Sequence, residues 1–85
     1  MEMDTDYIIW IEVADAGRAT QACQDLEDLD ARAEDDHELN PHGRVIAFTA
    51  TADDEQDAME RGYRAIKRLA GAGIDAHVQR VAKAT

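Results

Sequence analysis

Two sets of residues in this 85-residue chain have types and spacing that could do chemistry. Glu12 lies in an apolar run near the start and His77 in an alternating segment near the end. If those segments are neighbouring antiparallel strands, a carboxylate meets an imidazole, the unit that fixes a tautomer and moves protons in general acid–base catalysis. His77 and Glu12 are therefore the candidate catalytic pair. A lone histidine on an edge strand is usually a solvated group, however, and the sequence favours a chain with no catalytic residue.

His37 and His42, surrounded by Asp35, Asp36 and Glu38, have the ligand chemistry that holds divalent metals. Their spacing matches no ligand motif, so a solvated acidic loop is expected there, with neither metal nor cofactor. Cys23 is the only cysteine, which excludes an internal disulfide and a cysteine zinc site and fits a reducing cytoplasm. It falls on an apolar helical stripe, where it acts as a small hydrophobe. Gly71, Ala72 and Gly73 end a helix rather than open one, so they cannot cradle a phosphate.

The elements that would position these residues can be read from periodicity. Residues 7–14 (YIIWIEVA) and 44–51 (RVIAFTAT) are rich in β-branched and aromatic residues and apolar on both faces, as inner strands are. Ala19, Ala22, Cys23, Leu26 and Leu29 recur at helical spacing and predict a first helix. Residues 30–39 (DARAEDDHEL) offer only Ala31 alternating with Ala33, a weak edge strand or a loop. Asn40, Pro41, His42 and Gly43 suit successive positions of a type I turn. Asp53, with Gln56 three residues on, predicts the N-cap of a second helix, and Gly71 or Gly73 its stop. Ile74, Ala76 and Val78 alternate with Asp75, His77 and Gln79 in a last strand.

Strand, helix, strand, strand, helix, strand is the ferredoxin-like βαββαβ plan, an α+β sandwich with a four-stranded antiparallel sheet and both helices on one face. The expectation is a single domain over residues 1–85, with flexible tails at 1–6 and 83–85. Metallochaperones, RNA-recognition domains and acylphosphatases share this plan. The chain lacks the CxxC of the first, the paired strand aromatics of the second and the Arg-bearing glycine loop of the third.

With helices on one face, Tyr7, Ile9, Ile11 and Val13 point to the core, while Ile8, Trp10 and Glu12 point to the other side. The third strand adds either Val45, Ala47 and Thr49 or Ile46, Phe48 and Ala50 to that open face. An apolar patch there needs a cover, and Ile8, Trp10, Val45 and Ala47 are the expected interface, with Trp10 its anchor. An 85-residue chain also has a small core and gains from association, so a homo-oligomer or a protein partner is expected.

Charge narrows the partner. The net charge is -10, and residues 1–42 carry 13 acids against 2 bases. Such a field repels nucleic acid and anionic membranes and steers basic surfaces toward the first half. The longest apolar run is far shorter than the roughly 20 residues of a membrane helix. These observations point to a cytoplasmic, non-enzymatic interaction module such as an accessory, inhibitor or immunity-type protein. The alternative is a small dimeric α/β-barrel enzyme of monooxygenase or isomerase type, with its substrate near Trp10 and His77.

Overall fold

The computed structural model describes residues 4–84. The chain forms β1 (Thr5–Val13), a 3-10 turn at Ala16–Arg18, α1 (Ala19–Asp25), a second 3-10 turn at Glu27–Leu29, β2 (Arg32–Ala33), β3 (Val45–Ala52), α2 (Glu55–Gly71) and β4 (Ala76–Lys83). The strands make one antiparallel sheet in the order β2-β3-β1-β4. The molecule is thus α+β, with a four-stranded antiparallel sheet and two helices. Thr5, Asp6 and Lys83, expected in tails, are strand residues instead, and the Ala84 N–H donates to the Asp6 carbonyl at 2.9 Å. The rest of those expected tails, residues 1–3 and 85, lies outside the described residues.

Alternation along the strands decides which residues reach the helices. Ile9, Ile11 and Val13 of β1 and Ile46 and Phe48 of β3 join Ala22, Leu26, Ala65 and Leu69 of the helical layer in one buried cluster. Tyr7, Ala52 and Ala58 form a smaller cluster beside it. The third strand therefore turns Ile46, Phe48 and Ala50 inward and leaves Val45, Ala47 and Thr49 on the opposite face. The pairing of Trp10 with Ala47 and of Ile8 with Thr49 gives the same result.

The end signals of α2 lie close to where the sequence puts them. The N-cap is Asp54, one residue after the expected Asp53, and its carboxylate accepts from the Asp57 N–H at 2.8 Å. Asp57 in turn accepts from the N–H of Asp53, one residue before the cap, at 3.1 Å, so Asp57 rather than Gln56 is the side chain that reaches back. At the other end Gly73 takes a φ of 82°, its N–H donates to the Ala70 carbonyl and that of Ile74 to Leu69. This is the double hydrogen bond of a Schellman stop, which needs a residue free to adopt positive φ. It also drops Ile74 into the core beside Leu69. Midway along α2, Gly62 lets the helix settle on the sheet: a Cβ there would stand 2.9 Å from Val78 Cγ2 and 3.2 Å from Ile9 Cγ2. No helix among the described residues is long and apolar enough to cross a membrane.

Candidate functional site

The face of the sheet away from the helices carries Ile8, Trp10 and Glu12 from β1, Val45, Ala47 and Thr49 from β3, and His77 and Arg80 from β4. The expectation that this face is open and apolar is corrected by the loop spanning residues 34–44. Glu34 leaves the end of β2 and accepts from Trp10 Nε1 at 2.6 Å. Asn40 ties the loop down at both ends, donating to the Glu34 carbonyl and accepting from the Val45 N–H, each at 2.9 Å. From the other side the Arg80 guanidinium lies 5.2 Å from the centre of the Trp10 ring, within cation–π distance.

Trp10 is therefore only 7 % exposed and Val45 only 2 %, without any partner chain. Of the four predicted interface residues, Ile8 and Ala47 remain half-buried and accessible. Arg80 reaches Trp10 because a bulge in β4, opposite the step from Trp10 to Ile11, pairs Arg80 with Trp10 and Val78 with Ile11. Regular alternation from His77 would not place it there. Glu34, Asn40 and Arg80 are the residues of this face that sequence reasoning missed. Asn40 had a local signal, as the first residue of the predicted turn, whereas Glu34 is 24 residues from Trp10 and had none.

The structure does bring Glu12 and His77 together. They are register partners on β1 and β4, with His77 Nε2 3.3 Å from Glu12 Oε1. The second oxygen of Glu12 meets Arg44 at 3.2 Å. The His77 side chain is 67 % exposed. Neither His77 nor Glu12 lines the surface clefts of about 470, 290 and 230 Å³ found among the described residues. The pair is a solvent-exposed imidazole beside a half-buried carboxylate, and it lies outside those clefts.

His37 and His42 are both exposed on the 34–44 loop. Among the described residues no group of three or more His, Cys, Asp or Glu side chains is placed to hold a metal ion. Cys23 is half-buried, and burial pushes its thiol pKa up, away from the reactive thiolate. The 470 Å³ cleft lies at the end of β2, where Ile8, Ala47 and Thr49 meet Asp30, Glu34 and Asp35.

No protein-family model, no curated protein and no solved structure matches the chain.

Proposed function

We propose that this chain is a ferredoxin-like sandwich acting as a non-enzymatic protein-interaction module, of accessory, inhibitor or immunity type. It offers the outer sheet face around Ile8 and Ala47, flanked by acids, to a protein with a basic surface, or to a second copy of itself. The element order and the inner positions of β1 and β3 support the fold assignment. The observation that carries the function is the cleft at the end of β2: an accessible apolar floor beside Glu34 and Asp35, with Asp30 paired to Arg32 at its rim. A cationic surface with a small apolar contact complements it.

The enzyme alternative draws on the Glu12–His77 contact. A substrate site near Trp10 is opposed by the filling of that space by Glu34 and Arg80. Light scattering at micromolar concentration reports association with a second copy as a mass above 9.4 kDa. Methyl NMR of Ile8 and of Ala82, its register partner on β4, in the presence of capped hexalysine reports attraction of a basic surface to the face. The expected result is a response in at least one of the two. A monomer that ignores the cationic probe, together with a turnover abolished by His77→Ala, would transfer the assignment to the enzyme.

A further inference from the structure

The two edges of the sheet are not alike. β4 forms one edge, and it carries the devices that discourage strand pairing: a bulge opposite Trp10 and Ile11, and the charged Arg80 and Lys83. The other edge belongs only in part to β2, which pairs Arg32 with Ala47 and Ala33 with Ile46 and no further. Asp30, held at a left-handed φ of 59°, turns the chain into the sheet just before this pairing starts. β3 runs on to Ala52, so its second half is itself an edge.

Which backbone groups face that edge follows from alternation. The Val45 carbonyl points toward β2, accepting from Glu34 N–H at 3.0 Å, whereas the Arg44 carbonyl points toward β1 and accepts from Val13 N–H at 2.8 Å. Ala47, Thr49 and Thr51 therefore share the outward direction of Val45. Among the described residues no strand pairs with Thr49 or Thr51 on that side, and both are exposed.

Clefts lie on both sides of this free edge and meet at Leu29 and Phe48. Toward the outer face the lining is acidic on balance: Asp30 is paired with Arg32 at 3.3 Å, and Glu34 and Asp35 have no cation at ion-pair distance among the described residues. Toward the helices an apolar floor of Phe48, Ala50 and Ala65 is rimmed by Arg61, Arg64 and Arg68. Arg68 is held by Asp28, and Arg61 has Asp57 at 3.8 Å; no carboxylate among the described residues lies at ion-pair distance from Arg64.

We infer that the Thr49–Thr51 edge of β3 accepts an extended peptide segment of a partner protein as an added strand. This rests on the interaction-module reading and names its partner class. An added strand sends alternate side chains to opposite faces, so the charge pattern selects acidic or apolar residues toward α2 and basic residues toward the outer face. A second copy pairing antiparallel through the same edge would bring its own Arg64, unpaired among the described residues, toward the same residue. Charge complementarity therefore favours a different chain.

The test uses the whole protein and the capped peptide Glu-Lys-Val-Lys-Glu-Lys at millimolar concentration, followed by NMR. The amides of Thr49 and Thr51 are expected to shift and to gain exchange protection. Thr49→Pro, which removes an outward N–H and leaves the ladder to β1 intact, should weaken binding at least tenfold, and Thr49→Val no more than about twofold. Arg64→Glu, at an exposed position of α2, should weaken it severalfold while the amide spectrum away from the edge keeps its native dispersion. The edge assignment fails if Thr49→Pro binds like the native chain, if Glu-Glu-Val-Lys-Lys-Lys binds equally well, or if no amide of the edge responds. Response of the Ile8 and Ala82 methyls alone would overturn the edge while sparing the module reading. A concentration-dependent shift of Thr49 and Thr51 without peptide would make a second copy the occupant and overturn the choice of a peptide.

Discussion

Trp10 shows how a residue's surroundings change the meaning of its type. On an open sheet face it would be an anchor for another protein; beneath the 34–44 loop and Arg80 it is part of this chain's own packing, with its indole N–H satisfied by Glu34. Trp10→Ala should accordingly cost about 3 kcal/mol or more of folding stability, the usual penalty for emptying a buried aromatic site. Urea denaturation measures this loss. A variant as stable as the native chain would place the side chain outside the core. Asp28 gives a second residue-scale expectation. Arg68 donates to both its oxygens, at 3.0 and 2.7 Å, and this hydrogen bonding holds the Asp28 carboxyl pKa below its ordinary value. A carboxyl whose pKa is lower when folded adds stability that is complete above its unfolded value, near 3.9. That contribution is lost as pH falls through the lower folded value. An NMR titration should find the Asp28 midpoint below those of unpaired aspartates, and Arg68→Ala should return it to them. The effect on stability is small, because both groups are exposed.

At the scale of elements, the contact between α2 and the sheet depends on Gly62. Gly62→Ala sets a methyl group 2.9 Å from Val78 Cγ2, closer than side chains tolerate, and a tight 3.2 Å from Ile9 Cγ2, so helix or strand must give way at a cost of about 1–3 kcal/mol. A thermal midpoint lowered by several degrees checks this, and an unchanged midpoint would mean that α2 sits higher on the sheet. α2, β1 and β3 were legible because each carries a dense local pattern: a helical stripe ended by caps, or a run of β-branched residues. Residues 30–39 offer only two alanines in alternation, the mark of a weak edge strand or a loop, and the chain forms both: a two-residue edge strand, Arg32–Ala33, and the 34–44 loop after it. The cover over the outer face was hidden. It is built from single polar contacts between residues far apart in sequence, Glu34 to Trp10 and Asn40 to Val45, and no periodicity records those. The β4 bulge hid Arg80 in a different way, since a one-residue slip reverses which side chains share a face. Of the candidate site, the Glu12–His77 pairing was legible from strand order alone. The exposure of His77, 67 % of its side chain, likewise follows from its place on an edge strand, whereas the meeting of Glu12 with Arg44 depends on tertiary packing.

For the molecule as a whole, the uneven charge sets how stability responds to salt. Residues 1–42 hold 13 acids and 2 bases, and residues 43–85 hold 6 acids and 7 bases. The fold brings the halves together in places: Arg44 meets Glu12 and Arg68 meets Asp28. These contacts neutralise little of the excess, since Asp35, Glu38, Glu55 and Glu60 have no cation at ion-pair distance among the described residues. Two opposed effects follow when salt is added. Screening weakens the few exposed pairs, each worth about 0.2–1 kcal/mol at most, and it also relieves repulsion summed over a net charge of -10. The Debye length falls from roughly 30 Å at 0.01 M to about 3 Å at 1 M. The first value exceeds the 12.3 Å radius of gyration, so at low salt nearly every acid feels every other. Repulsion grows with the number of charge pairs while the attractive contacts are few, so screening stabilises the fold on balance. The thermal midpoint should rise as NaCl is raised from 0.01 to about 0.5 M, most steeply below about 0.1 M. Arg68→Ala should lower the midpoint at each salt concentration and leave the upward trend in place. A native midpoint that stays flat or falls over that range would show that the acids are balanced within the fold, and would remove the attraction for a basic partner on which the interaction reading depends.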